Sequence, residues 1–304
     1  MSAPRPPGVD AVVVAYNSAR TLRGCVERVV EIDGVRVWVV DNASPDHSLE
    51  TIADLPVTTV RAERNGGFAA GCNLGIARGR GRYVLLLNPD ARIGGEDLRT
   101  LVDALERDPD AGVAAPRILE QNGSLAYSQR RFPKLRSTFA QALFLHRLRP
   151  RASWSDELVR DPAAYERAGS PEWVSGACML VRREALERVG GLDEDFFLYC
   201  EDIDLCARLR GAGWGIRYEP AATVRHEGGA SRAREELLAV YARNRVLYAR
   251  KHARSPAVLL EAMGVALGHA THALASIARP PARRGHMRAL AAALRQVSRP
   301  KGAR

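Results

Sequence analysis

The sequence has no cysteine framework. Its five cysteines, Cys25, Cys72, Cys178, Cys200 and Cys206, are odd in number and scattered, and none belongs to a CxxC pair. That spacing argues against a disulfide scaffold and a thiolate zinc site, so a reducing compartment is expected. The opening residues, MSAPRPPGVD, hold no apolar signal region, and a cytoplasmic location is expected. Internal repeats and long low-complexity tracts are also missing. A GxGxxG fingerprint is absent: NGGFAAGCNLG at 65–75 reads G-G-x-x-x-G and follows the third predicted strand rather than the first. A dinucleotide site is therefore disfavoured. What remains is a loop whose backbone approaches something closely at a helix N-terminus, which favours an anion.

Acidic residues are scarce at one end only. Residues 1–228 hold 30 Lys+Arg against 32 Asp+Glu, and residues 229–304 hold 15 against 3, so the tail carries all of the +10 net charge. A basic tail suggests a polyanion, either nucleic acid or an anionic membrane surface. The tail has few aromatics for base stacking and lies apart from the motifs, so no nucleic acid is expected.

The body has the ordinary balance of a globular protein, 46% hydrophobic and 26% charged, in 304 residues. A chain this size can bury a large core. AVVVA (11–15), VRVWVVD (35–41), VTTVRAE (57–63), RYVLLLNPD (82–90) and GVAAPRIL (112–119) read as strands. Helical spacing appears in RTLRGCVERVV (20–30), after NGG, and in GEDLRTLVDALER (95–107). This alternation predicts a largely parallel sheet wrapped by helices. Ligands bind such sheets at the carboxyl ends of the strands, where Asn17, Asp41 and Asp90 fall. Residues 121–170 lose the pattern and read as a mobile insertion over the site. Strand and helix return at 173–186, and a loop enters a helix at CEDIDLCARLRGAGW. A late strand precedes VRHEGGAS, and helices are expected at 236–252 and 256–277.

Each motif has a bland alternative. Asn88-Pro89-Asp90 is good turn chemistry, yet a carboxylate ending a buried strand also suits a hard divalent cation. Asp204 and Arg208 are spaced for a helix ion pair. Glu201 and Asp202 could simply complement a helix dipole, but three carboxylates crowded after FFLY point to catalysis or metal binding. His226 sits in a loop position before Gly-Gly.

Taken together, VVVAYNS, VVDNAS, RNGGFAAGCNLGI, LLLNPDARI, VSGACMLVRREALERVGGLDEDFFLYCEDIDLCARLRGAGW and VRHEGGAS resemble the family-2 glycosyltransferases of GT-A fold, in order from about residue 10 to 231. The subgroup most resembled is the bacterial rhamnosyltransferases and related cell-wall and polysaccharide enzymes. The resemblance implies an α/β fold of GT-A type: a mostly parallel, Rossmann-like sheet with helices on both faces, here with a C-terminal helical basic extension. It implies a catalytic domain over 1–231, with a donor half at 10–120 and an acceptor half at 121–231, and a basic helical tail over 232–304.

By the same resemblance, Ala15, Tyr16 and Asn17 contact base and ribose. Asp41 reads the N3–H of uracil or thymine, and Gly67 and Asn73 line the nucleotide. The family's Asp-x-Asp motif is Asn88-Pro89-Asp90, with Asn first. Asp90 and His226 would hold Mg²⁺ or Mn²⁺ on the diphosphate of a dTDP- or UDP-sugar. Asp202 matches the general base of inverting members, and Glu201 would orient the acceptor or the base. The expected reaction moves a sugar, L-rhamnose as the first choice, to a saccharide or polyprenyl-linked acceptor. A sugar nucleotidyltransferase and a polyanion-binding protein are the alternatives.

The tail carries one more expectation. Residues 262–278 contain no Asp, Glu, Lys or Arg, and Met263, Leu267, Ala270, Leu274 and Ile277 form an apolar stripe. Residues 279–304 hold eight Lys+Arg and no acid. An apolar stripe beside a positive cluster describes a helix lying on anionic lipid, so a peripheral position at the inner face of the cell membrane is expected.

Overall fold

A computed structural model of the chain describes residues 8–228 and 234–298. The end of the VRHEGGAS motif from Gly229 and the basic residues after Ser298 lie outside the described residues. The chain divides into two compact units. The first runs to Arg130, resumes over Pro162–Glu194 and continues from Glu201 through the late strand. The second comprises Arg131–Asp161, Asp195–Cys200 and the C-terminal helices. The second unit thus joins the C-terminal helices to two segments that lie before residue 231 in the sequence.

The first unit is built on one eight-stranded sheet. Its elements are β1 (Val9–Ala15), α1 (Leu22–Val30), β2 (Val35–Asp41), β3 (Thr58–Arg61), α2 (Phe68–Ile76), β4 (Tyr83–Leu87), β5 (Ala91–Ile93), α3 (Gly95–Arg107) and β6 (Ala111–Glu120). The short β7 (Gln129–Arg130) and β8 (Trp173–Val174) pair with each other, and β9 (Cys178–Arg182), α6 (Arg183–Val189), α7 (Glu201–Gly211) and β10 (Gly215–His226) complete the unit. The strand order is β3-β2-β1-β4-β9-β6-β10-β5. β1, β2, β3 and β4 are mutually parallel, as the alternating pattern predicts. β9 enters antiparallel between β4 and β6, and β5 pairs antiparallel with β10 at the far edge. Neither departure is visible in strand patterning, which does not encode strand direction.

β1 and β4 are buried along their whole lengths, which explains the apolar runs at 11–15 and 83–87. α2 lies close on β1 because of its glycines. A Cβ at Gly71 would stand 2.6 Å from Val14, and one at Gly75 would stand 2.5 Å from Val12. These two glycines of the loop-helix motif therefore serve packing. At the other end of β1, Asp10 is fully buried and held by Arg183 at 2.8 Å and Arg36 at 3.2 Å.

The second unit holds α4 (Leu135–Ala142), α5 (Leu145–Leu148), α8 (Arg234–His252), α9 (Ser255–Ala275) and α10 (Pro280–Ser298). Residues 131–161, part of the 121–170 stretch expected to be a mobile insertion, are anchored from inside. Buried Arg245 on α8 binds the carboxylates of Glu157 and Glu261 and the hydroxyl of Thr138. Both acids are buried. Removing one partner of such a buried cluster strands an uncompensated charge, a loss of about 3–5 kcal/mol. The elements there are short, and their anchors are residues distant in sequence, so the linear pattern looks loose where the structure is bolted.

Candidate active site

The carboxyl ends of β1, β2 and β4 form one rim. Ala15 is the register partner of Asp41, and Val13 that of Leu87. Past β1 the chain turns through Asn17, which adopts a left-handed φ of 51° and donates its N–H to Ser44 Oγ at 2.8 Å. Asp41, buried at the end of β2, accepts the N–H of Ser44 at 2.9 Å on Oδ1, and its Oδ2 lies 3.8 Å from Arg61. The loop between is held by Asp46. Its burial raises the carboxyl pKa, but hydrogen bonds from Ser44, Ser48 and the Ala19 N–H prevail and keep it below the usual carboxylate range.

Asn42, a residue that motif matching passed over, ties this rim to the glycine loop. Its amide donates to Asn65 Oδ1 and to the Gly67 carbonyl, and its Oδ1 accepts the N–H of Gly66. Gly67 precedes α2 with φ of 90°, a conformation that suits glycine. Asn73 does not face this rim with a spare group: its amide donates to the Leu192 carbonyl and Glu194, and its oxygen accepts the Leu192 N–H. It braces the loop that carries the acidic motif.

After β4 the chain bends at Asn88 and Asp90 into β5. The antiparallel pairing of β5 with β10 makes Ala91 the partner of His226. That register brings His226 Nε2 to 3.1 Å from Asp90 Oδ1 and 3.3 Å from Asn88 Nδ2. The Glu227 N–H donates to the Asp90 carbonyl, and the Glu227 side chain pairs with Arg92 at 3.0 Å. Glu227 also lines an open polar cavity of about 620 Å³ with Glu120, Gln121, Asn122 and Ser124.

A carboxylate and an imidazole this close, with an amide beside them and partial exposure, form a ligand set that suits Mg²⁺ or Mn²⁺. No cluster of three or more His, Cys, Asp or Glu capable of holding a metal occurs among the described residues. The remaining ligands would come from diphosphate and water, as is usual for Mg²⁺.

Asp202 lies in the first turn of α7. Its Oδ2 accepts the Gly176 N–H at 3.1 Å, and its Oδ1 accepts the Ile203 N–H at 2.8 Å. The next residue, Ala177, accepts the Asn88 N–H at 3.0 Å through its carbonyl. The three-residue segment 175–177 thus ties the acidic helix to the strand end that carries Asp90. Burial raises the Asp202 pKa, while the two N–H donors and the charge of Arg130 restrain the rise. Arg130 was not legible as a site residue. It stacks over Trp173 with 5.3 Å between guanidinium carbon and ring centre. Glu201 is buried, and its pKa is pushed well above the usual carboxylate range by desolvation and by the neighbouring Asp202 charge. The Asp204–Arg208 pair is structural, as its spacing suggests: Arg208 Nε meets Asp204 at 2.7 Å and its Nη1 donates to the carbonyls of Val189 and Gly191.

The approach to Glu201 is strained. Tyr199 and Cys200 both have left-handed φ, 67° and 70°. Within the second unit, buried Asn244 of α8 donates its amide hydrogens to the carbonyls of Leu198 at 2.9 Å and Tyr199 at 3.0 Å. Two consecutive non-glycine residues in this conformation persist only when their surroundings enforce it.

Comparison with known proteins decides the family. The model of glycosyl transferase family 2 matches residues 10–190. The chain belongs to glycosyl transferase family 2. It is 36% identical over 167 residues to the N-acetylglucosaminyl-diphospho-decaprenol L-rhamnosyltransferase of Mycobacterium tuberculosis, covering 55% of this chain and 53% of that protein. Over 148 residues it is 34% identical to rhamnosyltransferase WbbL of Escherichia coli, covering 47% and 52% respectively. The chain thus spans about half the length of the rhamnosyltransferases it matches. Among solved structures, a mannosyltransferase from Pyrobaculum calidifontis in complex with GDP-Man and Mn²⁺ superposes with a TM-score of 0.59 at 18% identity, over 96% of this chain and 87% of that one. Staphylococcus aureus TarS in complex with UDP-GlcNAc gives 0.56 at 16% identity, over 95% and 81%. These likenesses establish the GT-A fold for this family-2 member.

Proposed function

We propose that this chain transfers a sugar, with inversion, from a nucleoside diphosphate donor to a lipid-linked saccharide. The observation that carries the reading is the convergence of Asp90 and His226 at the end of β4, tied through 175–177 to Asp202. The family match supports sugar transfer over nucleotidyl transfer. Two rhamnosyltransferase relatives support dTDP-L-rhamnose as donor, and the acceptor in the mycobacterial relative's name supports a polyprenyl-diphosphate acceptor. Such an acceptor resides in a membrane, which supports a position at the inner face of the cell membrane.

In this mechanism Asp41 accepts the N3–H of thymine or uracil, and Tyr16 and Asn17 border the base and ribose. Asp90 and His226 would hold a divalent cation, Mg²⁺ or Mn²⁺, which would supply positive charge to offset that of the leaving diphosphate. Asp202, anionic and oriented by the Gly176 and Ile203 N–H groups, removes the acceptor hydroxyl proton as that oxygen attacks the anomeric carbon from the face opposite the diphosphate. The reaction needs no covalent enzyme intermediate, and its transition state is oxocarbenium-like. Glu201, whose carboxyl is pushed well above the usual carboxylate range by burial, orients the acceptor or the base.

A thermal-shift screen of nucleotide sugars with Mn²⁺, repeated on Asp90→Ala, tests the reading. A metal-dependent shift for one pyrimidine nucleotide sugar, lost in the variant, is the expected result. NMR assignment of an inverted anomeric product completes it. A shift only with nucleoside triphosphates, together with pyrophosphate release, would overturn it.

A further inference from the structure

Exposed large apolar side chains concentrate on α9. Leu259, Met263, Leu267, Leu274 and Ile277 are all exposed, Leu274 at 72% and Ile277 at 66%. Leu259, Met263, Leu267 and Leu274 fall on one side of the helix, and Ile277 continues the same spacing two residues past its end. The opposite side is committed to protein. Ala262, Gly264, Ala266 and Ala273 are buried, and Gly264 is so close to α4 that a Cβ would meet Thr138 Cγ2 at 2.8 Å. Glu261, the only Asp, Glu, Lys or Arg in 255–278, is buried on that side against Arg245 and Thr138. The free face of α9 is therefore uncharged and apolar.

By length and composition α9 could cross a bilayer. Its packing argues otherwise. Spanning would carry the buried Arg245 cluster into hydrocarbon, where ionised groups are costly. A helix with one face in a protein bundle and one face bare lies on a bilayer rather than through it.

The charge lies where this face ends. Arg283, Arg284 and Arg288 of α10 line an open cavity of about 430 Å³ together with Ile277, Pro280 and Met287. No Asp or Glu follows Glu261 in the sequence. Three guanidinium groups over an apolar floor match a phosphate ester joined to an acyl chain, because arginine binds phosphate through paired N–H donors.

We propose that the bare face of α9 and the Arg283–Arg284–Arg288 patch form one docking surface for an anionic phospholipid bilayer. α9 lies in the interfacial plane and the three arginines receive lipid phosphates. The biological purpose rests on the lipid-linked acceptor proposed above, but the surface itself does not. A second copy of the chain is a poorer occupant, since a two-fold contact would bring the arginine patch against itself with no acid to answer it. Nucleic acid is poorer still, because the long face of α9 offers phosphates no charge.

Vesicle co-sedimentation of the full chain tests this. Binding to phosphatidylcholine mixed with phosphatidylglycerol is expected at low salt, with loss in high salt and little binding to phosphatidylcholine alone. The triple variant Arg283→Gln/Arg284→Gln/Arg288→Gln should weaken partitioning by roughly 100-fold, at about 1 kcal/mol per basic residue. Leu274→Ser/Ile277→Ser, at two exposed positions where misfolding is not expected, should weaken it independently. Both variants should keep the wild-type thermal shift with nucleotide sugar, so a failed donor reading and a failed lipid reading are separable. Equal binding to both vesicle types, unchanged binding by both variants, or self-association lost in both variants would overturn the proposal.

Discussion

The Gly176 N–H donates to Asp202 Oδ2 at 3.1 Å, and a Cβ on Gly176 would lie 3.3 Å from the Asp202 Cβ. Asp202, the proposed base, thus receives this hydrogen bond from a position where a side chain would have to push its neighbour aside. Because Ala177 also accepts the Asn88 N–H, any displacement at Gly176 reaches both the acidic helix and the strand end that carries Asp90. Gly176→Ala is therefore expected to lower turnover by about 10- to 100-fold, the scale of a small misplacement of reacting groups. Steady-state kinetics with donor affinity measured separately checks this, and the donor Kd should stay near wild type.

Asp90→Ala and His226→Ala should each strongly lower activity, because the two side chains face one another at 3.1 Å and either loss leaves a single protein ligand. Excess EDTA should abolish turnover, with recovery on adding Mg²⁺ or Mn²⁺. Full activity in EDTA would refute the metal site.

Asp41→Ala should weaken binding of thymidine or uridine diphosphate by about 1–3 kcal/mol, the usual effect of leaving a buried donor unpaired. Isothermal calorimetry gives the number, and an unchanged affinity would remove Asp41 from base recognition.

Asp202→Asn should cut turnover by roughly 100-fold or more, a typical general-base contribution, while donor affinity holds. Glu201→Gln should be milder. The raised Asp202 pKa places the acid limb of the kcat profile above the range of an ordinary aspartate. Glu201 carries the opposite linkage to a paired carboxylate. Its folded pKa lies above the unfolded one, so its stabilising contribution is complete below the unfolded value and is lost as pH rises through the folded value. Glu201→Gln should accordingly raise Tm at neutral and alkaline pH, as calorimetric scans across pH would show.

Asn244→Ala removes both hydrogen bonds to the Leu198 and Tyr199 carbonyls. The left-handed pair Tyr199–Cys200 then relaxes immediately before Glu201. Turnover should fall with donor Kd unchanged, and proteolysis near residue 199 should accelerate.

Much of the sheet's N-terminal part was legible in the linear chain. β1 and β4 are buried along their lengths, so the apolar runs 11–15 and 83–87 had to appear, and the strand ends that lead to Asn17, Asp41 and Asp90 could be read as a candidate ligand rim. The acidic start of α7 and the Asp204–Arg208 pair were equally local, because helix geometry relates residues four apart. The apolar stripe of α9 was read from periodicity as well. Tertiary structure alone decided the rest. His226 reaches Asp90 only because β5 pairs antiparallel with the end of β10, and no local pattern encodes which strand edges meet. The insertion is anchored because Arg245 meets Glu157 and Glu261 far along the chain. Asn73, expected to line the nucleotide, hydrogen-bonds Leu192, a partnership no local pattern encodes, since a side-chain amide takes whichever backbone groups the fold brings near. Sequence periodicity determines which faces are buried; which buried or polar groups meet is set by strand order, register and packing.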